Sequence, residues 1–364
     1  MGTTKMLSTK LYEQWLTEQE SIAPRYREIE KSQVLADYNA LKTLIESAEF
    51  QSKKQLWTST KYADSAEGKT MTRIKQLKGK KVVLFYRWFK KDKWKEHADV
   101  VEYLTLLEQT QTEEFKQSNA FWKNKKRYFT TDEYQQEKKY LSLAKHNDIV
   151  FYLAHTEAEV VELESYKRVW NEEFEGNNLD AKWQTGFLYP SKELKANHSH
   201  ISELQAYTQG QNTKVGGSAM SIVTKKQKLT APAWHPTKGM VMHAFGLSSD
   251  IWHTVDAVAP KEGKLVAKVC CSGKVKHAIS MVSNKVQGAL PVLQTEPAVK
   301  GYAIHTIVWN KKEVVAYVNN VEVARTANTL SGEAMHLVLR SYLPAGQKVN
   351  TGKMEVDWIR IYSK

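Results

Sequence analysis

Residues Val169–Trp183 read VWNEEFEGNNLDAKW. Apolar and polar residues mix in short runs up to Phe174, and Gly176 with the two asparagines that follow it then marks a turn. From this stretch to the C-terminus, short apolar runs are separated by turn residues, a pattern typical of an antiparallel β sandwich. The sequence therefore predicts an all-β domain over 165–364, with its boundary near residues 160–168.

The preceding half has the apolar periodicity of amphipathic helices, with steps of three and four residues. Its aromatic and leucine positions also recur about 65 residues later, as Phe50 does in Phe115. The sequence predicts an α-helical domain over 1–160 that contains two repeats, at about 34–90 and 99–155.

Helical repeats of this kind stack, bury a shared seam and expose a long face that often binds protein. We expect the two units to form a small array capped by a helix at 8–31. One interpretation is a protein-interaction domain, and an equally good one is a spacer for the domain that follows.

The chain has 364 residues and a formal net charge of +13. Its lysines stand in short groups, among them Lys80-Lys81 and Lys90-Lys91, without a long basic tail. One explanation of this charge is that the lysines form solvated surfaces. The other is that the protein binds an anionic partner such as an acidic glycan. No nucleic-acid-binding motif accompanies the charge, so we expect no nucleic acid partner.

No segment approaches the length of a membrane span, and the first residues lack the apolar core of a secretory signal. We therefore expect a protein without a membrane partner, located in the cytoplasm or associated with a particle. The two cysteines, Cys270 and Cys271, are adjacent. A bond between neighbours would be strained, so we expect no stabilising disulfide.

Four parts of the β half resemble glycoside hydrolase family 16, the family of laminarinases and lichenases. In chain order these parts are Val169–Trp183, Glu203–Thr208 with Val215–Ile222, His305–Trp309 with Val315–Val323, and Met354–Tyr362. The resemblance implies a concanavalin A-like jelly roll over 165–364 and a polysaccharide as partner. The helical repeats resemble N-terminal extensions of divergent members of this family in Bacteroidetes.

The family carries its catalytic acids on one strand, as Glu-x-Asp-x-Glu or with one extra residue. The resemblance places that strand between Gly273 and Tyr302, where Gly288–Gln294 reads GALPVLQ. The window contains one acid, Glu296. A retaining glycosidase needs two carboxyl groups. We therefore expect a catalytically defective protein, a pseudoenzyme without catalytic residues.

A jelly-roll cleft without acids can still bind sugar by stacking it on aromatic rings. The aromatic residues that lie in or beside turn-rich segments are Trp183, Tyr207, Trp234 and Trp252. The residues that the resemblance places at the cleft wall, where they could contact an anionic glycan, are Lys276 and His277. The tryptophans in regular strands, which we expect in the core, are Trp170, Trp309 and Trp358.

Asp357 is the candidate metal ligand, because its counterpart in some family members helps to hold a structural calcium ion. No other cofactor is expected. His198 and His200, with Glu203 after them, could also be drawn as a metal cluster. Nothing further in the sequence completes that cluster, and a polar loop is the preferred interpretation.

Three hypotheses follow. The first choice is a carbohydrate-binding module with a helical protein-interaction domain, which predicts exposed aromatic rings in a groove. The second is a structural or assembly protein of a virion or secretion particle, which predicts a filled groove and exposed apolar patches on the helices. The third is a divergent glycosidase, which predicts two carboxyl groups that meet in the cleft from different strands.

Overall fold

The computed structural model describes residues 6–188, 198–283, 293–294, 301–330 and 332–364. The chain divides into two compact units. The first is Arg25–Thr156. The second combines the N-terminal residues up to Pro24 with Glu157–Lys364.

The helices follow the apolar periodicity of the sequence. Their bounds are α1 Thr9–Glu30, α2 Gln33–Glu46, α3 Ala48–Ser59, α4 Ala66–Lys78, α5 Lys81–Leu84, α6 Ala98–Gln111, α7 Glu113–Lys123, α8 Asp132–Leu143, α9 Asn147–Ala154 and α10 Glu157–Glu164. Short 3₁₀ segments lie at Tyr62–Asp64, Tyr86–Trp88, Lys91–Glu96 and Arg127–Thr130. Among the described residues, no helix combines the length and the apolar character that crossing a bilayer requires.

Within Arg25–Thr156 the same succession of four helices occurs twice. α2 and α6 begin 65 residues apart, as do α3 and α7, whereas α4 and α8 begin 66 residues apart. The N-caps recur as well, because the Ser47 hydroxyl accepts from the N–H of Phe50 and the Thr112 hydroxyl accepts from the N–H of Phe115. Such caps satisfy backbone donors that a helix start leaves open. The duplication thus includes the side-chain hydrogen bonds that cap the N-termini of these helices.

The two copies pack on each other reciprocally. α2 of the first copy lies on α8 of the second, and α4 of the first lies on α6 of the second. Arg73 of α4 pairs with Glu102 of α6, and at the equivalent positions Lys139 of α8 pairs with Asp37 of α2. Reciprocal contacts of this kind are those of a two-fold axis. The copies therefore form an internal pseudo-two-fold pair, which is the arrangement that the expected small array of two units takes.

The second half of α1 covers the second copy. Ile29 lies in a buried cluster with Ile149 of α9. Tyr26 stacks on Tyr152, with ring centroids 4.4 Å apart. From Arg25 onward, the helix expected at 8–31 thus packs on one end of the helical pair.

The strands range from 2 to 16 residues in length and lie mostly antiparallel to their neighbours. Their bounds are β1 Lys167–Glu172, β2 Trp183–Thr185, β3 Ser199–His200, β4 Gln205–Tyr207, β5 Thr213–Val215, β6 Met220–His235, β7 Gly239–Ser249, β8 Ile251–Thr254, β9 Gly263–Gly273, β10 Lys276–Val282, β11 Leu293–Gln294, β12 Tyr302–Trp309, β13 Glu313–Val318, β14 Val321–Ala327, β15 His336–Tyr342 and β16 Gly352–Ser363.

These strands form a sandwich of two sheets. The first sheet has the order β14-β13-β12-β9-β16-β6-β7-β4, with β1 beside β16 and with β3 and β5 beside β6. The second has the order β11-β10-β15-β8-β2. Apolar side chains from both sheets meet in one core, which includes Leu265, Ile307, Ile361, Ile279, Met281, Leu337 and Leu339. The fold predicted for the C-terminal half, an antiparallel β sandwich, is confirmed.

The tryptophans expected in the core are buried or packed on it. Trp309 is 1% exposed and belongs to the core between the sheets, and Trp170 packs against the same core. Trp358 is buried in a second cluster, on Tyr12 of α1. The cysteines Cys270 and Cys271 lie in β9 and form no disulfide.

The start of the chain belongs with the sandwich and not with the helical pair. Tyr12 is buried against Val266 and Trp358 of the first sheet, and Glu13 accepts a hydrogen bond from the Trp358 indole. The boundary of the helical unit therefore differs from the expected 1–160. Part of α1 covers apolar side chains of the sheet, which local sequence patterns do not reveal.

The buried cluster under α1 gives a test of the helical pair. Ile149→Ala removes a side chain that is 0% exposed, and we expect it to lower the free energy of unfolding by about 2–5 kcal/mol through lost burial and a cavity. Leu153→Ala, at a position 58% exposed on the same helix, should change it by less than about 0.5 kcal/mol. Denaturant unfolding followed by circular dichroism measures both, and equal losses in the two variants would contradict the assignment of the core face.

Candidate functional site

The second sheet has one face in the core and one that points away from it. Successive side chains of a strand alternate between faces. Ile279 of β10 and Leu339 of β15 are cross-strand partners and both enter the core. Their neighbours Ala278 and Arg340 are also cross-strand partners and lie on the opposite face. This outward face is the candidate site, because the resemblance places the sugar cleft on the sheet that contains β10 and the strand after it.

Residues 198–207 lie over part of the outward face. Tyr207 is buried in a cluster with Ile251 of β8 and Val338 of β15. Backbone bonds tie the segment to the end of β15, since the N–H of Leu204 donates to the carbonyl oxygen of Leu343 over 2.8 Å. The Gln205 side-chain oxygen accepts from the N–H of Leu343, also over 2.8 Å. Side chains of the segment therefore occupy space in which a ligand ring would have to lie.

A buried ion pair fixes this segment on the sheet. Arg340 Nη1 lies 3.0 Å from Glu203 Oε1, and the two side chains are 21% and 10% exposed. The other carboxylate oxygen of Glu203 accepts from the Tyr207 hydroxyl at 2.8 Å and from the Gln205 amide at 2.7 Å. The guanidinium carbon also lies 4.1 Å from the ring centroid of Tyr342. Both oxygens of the carboxylate are therefore engaged.

The electrostatics of the cluster reflect its burial. Burial raises the pKa of Glu203, while Arg340, Tyr207 and Gln205 oppose this shift by stabilising the carboxylate. Burial also raises the pKa of the Tyr207 hydroxyl far above its ordinary value. A carboxyl group with a raised pKa is suited in principle to proton transfer. Here its oxygens are already bound by neighbouring side chains.

His198 and His200 belong to the same cluster. His198 is 2% exposed, and the two ring centroids are 5.4 Å apart. Burial, with smaller contributions from His198 and Arg340, lowers the pKa of His200 to about 4, so its ring is neutral near pH 7. Across the described residues no group of three or more His, Cys, Asp or Glu side chains could hold a metal ion. The preferred interpretation as a polar loop missed the burial of these rings.

The described part of this face offers one carboxylate where glycoside cleavage needs two. By strand alternation, the outward positions are Lys276, Ala278, Ser280 and Val282 of β10 and His336, Val338, Arg340 and Tyr342 of β15. None of these described residues is an acid. The segment Gly288–Gln294 falls outside the described residues except for β11, whose Gln294 pairs with Ala278.

A second buried carboxylate holds the turn that follows β4. Asp250 is 0% exposed and accepts five hydrogen bonds. Its donors are the N–H groups of Thr208, Gly210 and Asn212 and the hydroxyls of Thr208 and Thr213. The Thr213 hydroxyl in turn accepts from the indole N–H of Trp252 at 2.8 Å. These bonds make Asp250 a structural anchor of the turn, because its oxygens are occupied by three backbone N–H groups and two hydroxyls.

The structure places two of the predicted aromatic ligands in the interior. Trp183 is 6% exposed, belongs to the sandwich core and donates its indole N–H to Glu172. Tyr207 is 8% exposed and bonded to Glu203. The prediction that these rings reach the surface is wrong, because neighbouring segments cover the turn-rich stretches in which they lie.

The other predicted ligands fall on different faces. Trp252 packs half-buried against the core, and His277 is 2% exposed, with its ring bonded to the Ser341 hydroxyl. His277 was expected at the cleft wall, but its position in β10 alternates with outward Lys276 and points inward. Lys276 and Trp234, the latter on the β6–β7 hairpin, are half-buried. The structure does not bring the six predicted residues together in one groove.

The surroundings of Asp357 do not fit calcium. Its carboxylate lies 2.8 Å from the ammonium of Lys268, which also pairs with Glu13. Calcium prefers six to eight oxygen ligands, whereas the nearest charged partner here is a cation. We therefore assign Asp357 to an ion pair.

Sequence reasoning missed the roles of Glu203 and Arg340. One signal was present, because Glu203, Gln205 and Tyr207 stand two residues apart, and side chains at this spacing share one face of a strand. The partner Arg340 is 137 residues further along the chain, and no local pattern connects it to this face.

Comparison with known proteins finds similarity to solved structures, and this similarity is one of fold. No protein-family model matches the sequence. No curated protein matches it either.

Solved structures of glycan-cleaving enzymes are similar to the C-terminal part of the chain. The laminarinase catalytic domain of Thermotoga maritima MSB8 shares 16% identity with a TM-score of 0.40, covering 55% of this chain and 99% of its own. Laminarinase from Flavobacterium sp. UMI-01 shares 17% with a TM-score of 0.40, covering 54% and 100%. The κ-carrageenase of Pseudoalteromonas carrageenovora shares 13% with a TM-score of 0.39, covering 53% and 92%. The likeness is one of fold, over the half of the chain in which the sequence resembles glycoside hydrolase family 16.

The anchor at Asp250 gives a second test. Asp250→Asn replaces one acceptor oxygen by an amide that faces N–H donors, and we expect the free energy of unfolding to fall by about 2–5 kcal/mol. Asp256→Asn, at an exposed position nearby, is the matched control and should change it by less than about 0.5 kcal/mol. Thermal and denaturant unfolding report both values, and an Asp250→Asn protein as stable as the control would contradict the anchor role.

The buried histidines predict a loss of stability in acid. Burial lowers the pKa of His200 and of His305 to about 4, against about 6.5 in an unfolded chain. Between these values the unfolded state binds more protons, so the free energy of unfolding falls as the pH falls from about 6.5 to about 4. Burial lowers the pKa of His253 and His277 as well, and only the raised pKa of Glu203 acts in the opposite sense within this group.

Denaturant unfolding at several pH values between about 7 and 4.5 measures this dependence. His305→Leu should make the dependence shallower, because it removes a buried ring whose Nδ1 has no partner among the described residues. An unchanged slope in that variant would contradict the assignment.

Proposed function

We propose that this chain is a non-hydrolytic structural or assembly protein, in which a glycosidase-like sandwich serves as a scaffold and the helical pair serves as an interaction domain. The observation that carries the proposal is that residues 198–207 cover the part of the outward face formed by β8 and β15. Among the three hypotheses, a filled groove is the feature that only the structural one predicts.

The lack of paired acids supports the same proposal from the sequence. The window Gly273–Tyr302 contains one acid, Glu296, and the described outward positions of β10 and β15 contain none. Among the described residues over this face, Glu203 is the one carboxylate. Its oxygens accept hydrogen bonds from Arg340, Tyr207 and Gln205. Cleavage with retention would need a second carboxyl group about 5–5.5 Å away.

Exposed apolar side chains on the helical unit are the second feature that the structural hypothesis predicts. On the first copy Leu84, Phe85 and Trp88 are 54%, 55% and 83% exposed. On the second copy Val150 and Leu153 are 54% and 58% exposed. Apolar surface of this extent in water often marks an interaction site.

Carbohydrate recognition without cleavage is the second candidate. Trp234 favours it, because its ring is half-buried and lies at the end of the β6–β7 hairpin, beside Gly239 and the exposed side chain of Met240. An accessible indole face is the group on which a sugar ring stacks. The site would lie on a hairpin of the first sheet, outside the closed face.

The test is affinity electrophoresis of the intact chain in native gels that contain laminarin, lichenan, agarose or carrageenan, with a reducing-end assay alongside. We expect neither retardation nor new reducing ends, because among the described residues the segment 198–207 fills the β8–β15 part of the face and Glu203 is its single carboxylate. Retardation that Trp234→Ala abolishes would establish the second candidate in place of the first. New reducing ends that Glu203→Gln or Glu296→Gln abolishes would overturn the proposal and establish a hydrolase.

A further inference from the structure

The segment that follows α4 combines exposed aromatic rings with an excess of positive charge. Between Lys78 and Lys95 the chain has eight lysine or arginine residues and one acid, Asp92. In the same segment Phe85 and Trp88 lie edge to face, with ring centroids 6.4 Å apart, and both are exposed. Large aromatic side chains are seldom left so open to water in the absence of a partner.

Most of these cations have no carboxylate partner. Lys80 pairs with Asp99, and Lys95 pairs with Asp92. Within the described part of the chain, no carboxylate lies within ion-pair distance of the other six, which are Lys78, Lys81, Arg87, Lys90, Lys91 and Lys93. All six are exposed. We call them, with Leu84, Phe85 and Trp88, the basic aromatic face.

The duplicated copy serves as an internal control for this face. Val83 of the first copy and Ile149 of the second occupy equivalent positions and are 3% and 0% exposed, so both copies retain the same buried contact. At the spacing of 66 residues, the counterpart of Trp88 is Ala154. The corresponding stretch 144–161 has one lysine, no arginine and three acids. The repeated fold therefore does not require the basic aromatic face.

The composition of the basic aromatic face indicates the class of partner that it binds. Indole and phenyl rings insert at the boundary between headgroups and acyl chains, and surrounding lysines and arginines are attracted to anionic headgroups. A protruding ring needs no preformed pocket in a bilayer, and Trp88 is 83% exposed. The expectation of no membrane partner rested on the lack of a spanning segment, which surface docking does not require.

We propose that the basic aromatic face docks the helical unit on an anionic lipid surface, with Trp88 and Phe85 inserted into the interface and the six unpaired cations over the headgroups. This goes beyond the proposed function. The two share the exposed side chains of Leu84, Phe85 and Trp88, whereas the segment 198–207 on the second sheet, which carries the proposed function, is not part of the basic aromatic face. An acidic protein surface and a single-stranded nucleic acid are the alternative partners, and they are outcomes of the test.

The experiment is co-sedimentation of the full chain with vesicles of phosphatidylcholine containing about one third phosphatidylserine, and with vesicles of phosphatidylcholine alone. We expect binding to the anionic vesicles at least about tenfold stronger, and weakened by raising the salt from about 0.1 to about 0.5 M. Phe85→Ala/Trp88→Ala should reduce that binding about tenfold or more. The charge reversal Lys90→Glu/Lys91→Glu should reduce it as well.

The matched control is Val150→Ala/Leu153→Ala, which removes apolar side chains that are 54% and 58% exposed on the second copy and should leave vesicle binding unchanged. All replaced residues are exposed, so circular dichroism should show folded proteins in each case. Absence of binding to anionic vesicles would overturn the proposal, and binding to an acidic protein or to an oligonucleotide instead would assign the face to that partner. Vesicle binding that survives both first-copy variants would also overturn it. The polysaccharide gels do not involve these residues, so the two proposals can fail independently.

Discussion

The guanidinium of Arg340 contacts both the ring of Tyr342 and the carboxylate of Glu203. This arrangement helps to position residues 198–207 over the second sheet. A charge pair withdrawn from water is tolerated only when its geometry is good and its remaining hydrogen-bonding capacity is satisfied. Here the Tyr207 hydroxyl and the Gln205 amide satisfy the second carboxylate oxygen. Loss of either partner would leave the other as a buried charge without its counter-charge. Together with the bonds from Leu204 and Gln205 to Leu343, this pair holds residues 198–207 over part of the outward face.

The same interactions oppose sugar cleavage. An acid catalyst must exchange its proton with a substrate oxygen within hydrogen-bond reach, and a sugar ring must fit between the acids. The oxygens of Glu203 are bound by neighbouring side chains, and Tyr207 packs on Val338 and Ile251. The acid-poor window in the sequence and the closed face in the structure are separate observations. Both support the proposal of a sandwich that does not cleave sugars.

Local sequence patterns could predict the sandwich, because alternation and turn residues are local properties of a strand. They placed Trp309 in the core for the same reason. They failed for Trp183 and Tyr207, because a turn-rich context does not show which distant segment covers it. The family resemblance failed for His277, because a position one residue away along a strand lies on the other face. The contact between Glu203 and Arg340 joins residues 137 positions apart, so the folded chain was needed to find it.

Comparison of the two helical copies distinguishes the residues that their packing requires from the residues that can vary. In a pseudo-two-fold pair, equivalent residues have equivalent neighbours. The pairing of Arg73 with Glu102 thus has its counterpart in the pairing of Lys139 with Asp37. A feature found in one copy alone is therefore not explained by the contacts that the copies share. Exposed apolar area in water has an unfavourable free energy of roughly 25 cal/mol per Å², so an exposed indole contributes nothing to the stability of the pair. The basic aromatic face consequently has to be explained by something other than the packing of the two copies.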